Sequence, residues 1–386
     1  MNETIVERIL INDKNLRSQI SSYPKKRYLF DELKKLISGR EEFIGYYGLR
    51  GIGKTVLMLQ LAERFQDSIY ISADATYLKN TSLYELVHYF DDFKFFFIDE
   101  IHLKSGWTKD LKTLFDEKKG IRIVFTGSSS LNIRKGVDLS RRVIYRELRP
   151  ASFREYLNIK KNYDFKVLKL KDIIKNKRKL ISEFLEVKKY LDEYYREGGF
   201  LVEYEESIYD NILQKMIYED LAYQKNINVK VENDVYKILN KIAMSEPYEI
   251  NYSNIANYLE TNKNSTIALI DGLCRIEIIT RLHSKKIGTE PKIYLPIPIR
   301  SFLCKLLGVQ PKIGSLREDF IVMHLNPDNY VKSDYLKKTP DFIKDNASFE
   351  AGGLNKKTRQ GADYRIIDGV ETKENRIPMV LFGFLY

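Results

Sequence analysis

Apolar residues in the first third of the chain follow two alternating rhythms. Short, largely apolar runs at 43–47, 68–72, 93–98 and 121–125 have the length of buried strands, and between them 55–65, 83–90 and 108–119 repeat apolar positions at helical spacing. Strands that alternate with helices predict a parallel sheet covered on both faces, because each parallel pair needs a crossover. Beyond Pro150 the rhythm changes. Residues 159–189 hold eleven Lys and Arg against four acids, with no Gly or Pro, and a helical pattern over 187–196 runs up to Gly198 and Gly199. This predicts an all-helical segment. Residues 232–307 read as a compact set of helices ending in two short strands, near 278–282 and 292–295. After Gly308, strands are expected near Phe342, 348–350, 364–367 and 379–386. The last is so apolar that burial is expected, since an exposed edge of that composition would aggregate. No internal repeat is visible.

Composition narrows the class. Hydrophobic residues at 44% and charged residues at 30% suit a packed core rather than a disordered chain. Only Cys274 and Cys304 occur, without a CxxC pair, and histidines number four, so neither a disulfide framework nor a structural zinc cluster is expected. A reducing, cytoplasmic setting follows. No stretch reaches the roughly 20 apolar residues that span a bilayer, and 1–14, with Glu3, Glu7, Arg8 and Asp13, does not read as a signal peptide. No membrane partner is expected. The 64 Lys and Arg exceed the 53 Asp and Glu by 11, which suits a nucleic-acid partner or simply a solvated lysine surface.

The chemistry concentrates at one loop. Gly48-Leu49-Arg50-Gly51-Ile52-Gly53-Lys54-Thr55 matches GxxxxGK[ST] and stands directly after one strand and at the start of a helix that continues through Val56. Glycines let the backbone fold around a phosphate chain, so that N–H groups and the positive helix end face the anion. Lys54 is placed for the β- and γ-phosphates of ATP, and the Thr55 hydroxyl for Mg²⁺. A second requirement is a carboxylate at the end of a buried strand. The run Phe95-Phe96-Phe97-Ile98-Asp99-Glu100 supplies Asp99 to orient the metal and Glu100 to polarise an attacking water. In a third strand, Thr126 or Ser128 is positioned to touch the γ-phosphate or the water, the alternative being a serine-rich turn. An arginine in Leu139-Ser140-Arg141-Arg142 is a candidate to stabilise charge on the transferred phosphoryl group, from the same chain or a neighbouring subunit. Paired surface arginines explain the same residues.

The GLRGIGKT loop, FFIDEIH followed by Trp107, FTGSSS, LSRR and RPASFREYL, with Gly198-Gly199-Phe200 and Tyr218-Glu219-Asp220 further on, make the chain resemble prokaryotic AAA+ ATPases near the STAND NTPases. The resemblance extends over most of the chain. It implies ATP binding and Mg²⁺-dependent hydrolysis, a helical lid, a winged helix and a nuclease-like terminal domain. The position of Arg141 is often Gly in that family, so Arg142 aligns with the motif's arginine. The expected fold class is α/β: a P-loop NTPase parallel sheet with helical lid, winged-helix domain and a small carboxy-terminal α/β restriction-endonuclease-like domain. Expected limits are 1–158 for the ATPase domain, 159–230 for the lid, 231–307 for the winged helix and 308–386 for the terminal domain.

The residues of the later segments carry their own signals. Helices over 252–260 and 265–276, joined by a turn at 261–264, have helix-turn-helix grammar, and the strands that follow make a wing with a basic tip. Lys263, Asn264, Ser265, Thr266, Lys285 and Lys286 are candidates for DNA contact, unless the module only packs against a partner. Metal-dependent PD-(D/E)XK nucleases need an Asp and then Glu-x-Lys on the next strand. Here Asp341 and Glu350 fit, but Gly352 takes the lysine position and Lys356 lies four residues later. A weak or inactive nuclease fold is therefore expected. Three functions remain: a Mg²⁺-dependent ATPase acting on DNA, an ATP-liganded switch with negligible turnover, and an active nuclease. A monomer or small homo-oligomer is expected.

Overall fold

The computed structural model describes residues 3–117, 120–127, 139–203, 205–221, 231–332, 339–353 and 361–386. By contacts the chain separates into two units, 1–149 and 150–386.

In the first unit, helices α1 (Glu3–Ser18) and α2 (Phe30–Gly39) lead into β1 (Phe43–Tyr47), α3 (Lys54–Ala62), β2 (Ser68–Ser72), α4 (Leu83–Tyr89), β3 (Phe95–Asp99), α5 (Trp107–Glu117), β4 (Arg122–Gly127) and β5 (Val143–Glu147). The sheet is five-stranded in the order β2-β3-β4-β1-β5, with every pair parallel. Alternation sorts its side chains. Phe43, Tyr47, Ile69, Ile71, Phe96, Ile98, Ile123 and Phe125 share one core with Leu83 and Leu86 of α4 and Trp107, Leu111 and Leu114 of α5. Residues between them, including Ile44, Tyr46, Tyr70, Phe97 and Val124, are also buried, on the side where α2 and α3 meet the strands. Local chemistry fixes the helix starts. Ser82 Oγ accepts from the Glu85 N–H while the Glu85 carboxylate accepts from the Ser82 N–H, a reciprocal cap that opens α4.

Edge strand β5 went unrecognised in the sequence because its Val-Ile-Tyr-Arg-Glu run is only partly buried, so charge interrupts the apolar signal. Likewise, α1 buries only Ile9 and shows little of the periodicity by which helices are recognised.

The second unit contains α6 (Phe153–Lys160), α7 (Leu170–Phe184), α8 (Leu191–Glu197), α9 (Glu206–Lys215), α10 (Val231–Met244), α11 (Tyr252–Tyr258), α12 (Lys263–Arg275), β6 (Thr280–Leu282), β7 (Lys292–Tyr294), α13 (Ile299–Leu306), α14 (Ile313–Leu325), β8 (Asn329–Tyr330), β9 (Phe342–Lys344), β10 (Ala347–Gly352), β11 (Tyr364–Ile367) and β12 (Arg376–Pro378). Asn251 caps α11 by accepting from the Asn254 N–H at 2.9 Å, and Asn262 caps α12 by accepting from the Ser265 N–H at 2.8 Å. Antiparallel β6 and β7 follow, and Glu249 forms an isolated antiparallel bridge to Lys292.

A second five-stranded sheet has the order β12-β11-β10-β9-β8, parallel from β10 to β12 and antiparallel from β8 to β10. The β6–β7 connection is stitched to it: the Tyr330 N–H donates to the His283 carbonyl at 3.0 Å and the Lys285 N–H to the Tyr330 carbonyl at 3.1 Å.

The structure corrects the expected strand at 379–386. This segment is buried, but Met379–Phe384 forms a 3-10 helix. Its residues bury on all sides instead of alternating, with Phe384 against Phe153, Phe165 and Phe184. A Cβ on Gly383 would lie 2.7 Å from the Phe153 Cβ, so that approach requires glycine. The helix expected over 187–196 is also divided, into a 3-10 turn at Glu186–Tyr190 and then α8.

Candidate functional site

Everything that sequence reading placed around the glycine loop, apart from Ser128 and Arg142, converges at the carboxyl ends of β1 and β3. β1 delivers the chain into Gly48, where a Cβ would sit 2.1 Å from the Leu148 carbonyl oxygen. Only glycine allows that approach. Gly53 takes φ 88°, a left-handed conformation from which α3 starts at Lys54. Leu49 and Ile52 are buried anchors, while Arg50, Gly51, Gly53 and Val56 are part-exposed. The loop thus has an apolar back and an accessible backbone front.

Lys54 is 5% exposed, and its Nζ donates to the Gly48 and Leu49 carbonyls at 2.9 Å each. Thr55 Oγ1 donates to Asp99 Oδ2 at 2.5 Å. The two oxygen groups expected to serve a metal are therefore adjacent. Asp99 is 2% exposed and is met by two further donors, Tyr70 Oη to Oδ2 at 3.1 Å and Thr126 Oγ1 to Oδ1. Glu100 leaves the strand in a left-handed conformation, φ 52°. Its N–H donates to Thr126 Oγ1 at 3.1 Å, and its Oε2 lies 3.4 Å from His102 Nδ1.

Arg142 lies elsewhere. Its carbonyl accepts from the Phe43 N–H at 2.8 Å, at the amino end of β1, whereas the glycine loop follows the carboxyl end. Spanning β1 at about 3.3 Å per residue, the two ends are roughly 13 Å apart. The Arg142 guanidinium grips Asp116 through two hydrogen bonds of 2.9 Å and holds that carboxyl below its usual range. Ser128 lies outside the described residues, as does Lys356. In the second unit, Asp341 Oδ2 accepts from the Ala351 N–H at 2.7 Å, and Glu350 is on β10 with Gly352 two residues on.

Sequence reading missed a strap behind the loop. Arg27, 5% exposed, donates to the Ile52 carbonyl and, at 2.7 Å, to the Arg149 carbonyl. Tyr28 Oη donates to the Glu147 carbonyl at 2.8 Å. Gln60 of α3 holds the same segment by donating to the Tyr23 and Lys25 carbonyls at 2.6 and 3.0 Å. In a run of three basic residues, nothing in the sequence says which one turns inward. Tyr46 and Tyr70 were also missed, although strand alternation puts Tyr70 on the face of Ser72 and Asp99.

The residues fit the groups they imply. Among the described residues no cluster of three or more His, Cys, Asp or Glu could hold a metal. Mg²⁺ needs no such cage, because it takes one or two carboxylates and completes its shell with phosphate and water. A loop of accessible amides with a lysine at its mouth suits the phosphates.

A parallel sheet that delivers a glycine loop into a helix, with a buried acid ending the strand two places away, is the architecture of a P-loop protein. Residues 40–157 match the AAA domain family, and that stretch contains the glycine loop, Asp99 and Glu100. The chain belongs to the same family as the uncharacterized protein MJ1637 of Methanocaldococcus jannaschii, with 31% identity over 346 residues, covering 78% of this chain and 72% of that one. A second relative from that organism, uncharacterized protein MJ1544, is 31% identical over 245 residues, 58% of this chain and 51% of its own. Among solved structures, the Thermotoga maritima RuvB Holliday junction branch migration motor aligns over 78% of this chain and 95% of its own, with 16% identity and a TM-score of 0.31. Among the described residues no helix is long and apolar enough to cross a membrane.

Proposed function

We propose that the protein binds ATP with Mg²⁺, hydrolyses it, and uses nucleotide state to control DNA contact by its second unit. The observation that carries this reading is the 2.5 Å contact between Thr55 Oγ1 and Asp99 Oδ2 beside the Lys54 ammonium. On nucleotide binding, Lys54 exchanges its two carbonyl partners for phosphate oxygens, and the loop amides from Gly48 to Val56 surround the phosphate chain. Thr55 and Asp99 would hold Mg²⁺, which when bound would offset negative charge on the phosphate chain. Glu100 orients a water and takes its proton. Both cysteines are free, which suits the cytoplasmic setting we propose.

The test is direct. Lys54→Ala is expected to abolish ATP binding, and Glu100→Gln to bind ATP while its turnover falls by about 10²–10⁴-fold, the usual contribution of a general base. Equal turnover in wild type and both variants would reject the reading.

For the second unit we read α11, α12 and the β6–β7 hairpin as a winged helix. Lys263, Asn264 and Ser265 at the start of α12 and Lys285 and Lys286 on the wing are all exposed, in keeping with phosphate contact. Lys285→Ala with Lys286→Ala is expected to weaken DNA binding and flatten its salt dependence by about two counterions. Asp341 accepts a backbone amide and Gly352 stands where a lysine is needed, so the terminal sheet reads as a module that binds rather than cuts. One observation favours the ATP-liganded switch for an isolated copy: Arg142 is at the far end of β1, so a single chain brings none of the expected arginine to the loop.

A further inference from the structure

Asp99 is the acid on which the proposed metal site depends, and strand register surrounds it with hydroxyls. Ser72 of β2 pairs with Asp99, and Tyr70, two residues earlier, shares its face. Ile98 pairs with Phe125, which sets Thr126 next to Asp99, and Thr126 in turn pairs with Tyr46 of β1. Out of this row come two donors to the carboxylate, Tyr70 to Oδ2 at 3.1 Å and Thr126 to Oδ1. Tyr70 is 1% exposed, so its hydroxyl is shut off from solvent with the Asp99 carboxylate as its acceptor.

We infer that Tyr70 is a positioning residue for magnesium: its hydroxyl fixes the Asp99 carboxylate so that Oδ2 stays turned to the Thr55 hydroxyl. The inference rests on the ATP-site reading above. Hydrogen bonds to a metal-serving carboxylate matter because they settle its orientation before the ion arrives. Without Tyr70, Oδ2 keeps only the contact with Thr55, the hydroxyl that would itself turn to the metal, and Thr126 at Oδ1 becomes the one remaining brace that is independent of the metal. Tyr46 supplies a built-in comparison. It is as buried as Tyr70, but its hydroxyl donates to the Lys54 backbone carbonyl at 2.9 Å, so its hydrogen bond secures the first turn of α3 rather than the Asp99 carboxylate.

The test is the Mg²⁺ dependence of binding of a fluorescent ATP analogue, with melting temperatures recorded on the same samples, for wild type, Tyr70→Phe and Tyr46→Phe. Tyr70→Phe is expected to raise the Mg²⁺ concentration for half-maximal effect by about 10-fold or more while binding in EDTA is unchanged. Tyr46→Phe should lower the melting temperature and leave the Mg²⁺ midpoint alone. A wild-type midpoint in Tyr70→Phe, or the same shift in both variants, overturns the inference while the ATP-site reading stands. Wild-type protein that takes up no analogue at any Mg²⁺ concentration overturns both.

Discussion

Thiol chemistry shows how far burial alone sets the behaviour of a residue here. Cys274, enclosed in α12, has its pKa pushed up to about 12 by burial, with Arg281 pulling it back only in part. Cys304 of α13 is fully buried and raised for the same reason. Because the thiolate is the reactive form, neither should act as a nucleophile near neutral pH. Native protein at pH 8 is expected to leave both thiols unmodified by a chromogenic disulfide, and denatured protein to release two equivalents. Rapid reaction of either in the native state would show that α12 or α13 opens locally. The same reasoning separates the two kinds of carboxylate in the molecule: Asp99 is buried but met by hydroxyl donors, whereas Asp116 is partnered by an arginine near the surface.

At the scale of elements, buried polar groups inside the second unit join helices to one another. Arg300 of α13 and Asp319 of α14 are an ion pair with 1% and 0% side-chain exposure. Arg300 also donates to the Ile242 and Ala243 carbonyls of α10 at 2.7 and 2.8 Å, while Asp319 accepts from the Leu295 N–H at 3.1 Å just after β7. Burial outweighs Arg300 and leaves the Asp319 carboxyl raised, so the arginine offsets a cost rather than adding a large surplus. Removing one partner strands the other. Arg300→Leu is expected to destabilise the protein by about 3–5 kcal/mol, whereas Arg300→Met combined with Asp319→Leu should recover most of that loss. Denaturant melts of the two variants decide it, and equal loss in both would mean that the carbonyl contacts of Arg300, rather than its ion pair, hold the helices.

Such pairs also mark the limit of what could be read beforehand. Strands 43–47 and 68–72 stand where their apolar runs predicted, because a strand buried on both faces writes itself as a largely apolar run. The glycine loop and Asp99-Glu100 were equally visible, since their chemistry depends on local spacing. By contrast, Arg27, Tyr70 and Arg300 act through partners 25, 29 and 19 residues away, and pairing at that range leaves no local signature. The 379–386 segment failed for another reason: uniform burial has the same composition whether the backbone is extended or coiled.

For the molecule as a whole, the decisive question is whether one copy suffices for turnover. Arg142 closes the amino end of β5 and is bound by Asp116 at two points, so it reaches a glycine loop only if that loop belongs to another copy and only after Asp116 lets go. An arginine brought to a phosphoryl group in this way accelerates transfer by about 10³–10⁵-fold. Two consequences can be measured together. Turnover per chain should rise with protein concentration, and Arg142→Ala should remove that rise while leaving ATP affinity unchanged. Asp116→Ala should act in the opposite sense, raising turnover at low concentration because the guanidinium no longer has to be released. The exposed position of Asp116 makes any stability change in that variant small, within about 0.5 kcal/mol, so a gain in rate could not be attributed to better folding. A constant rate per chain in all three proteins would mean that Arg142 is a surface ion pair and nothing more, and that hydrolysis proceeds within a single chain on Lys54, Asp99 and Glu100 alone.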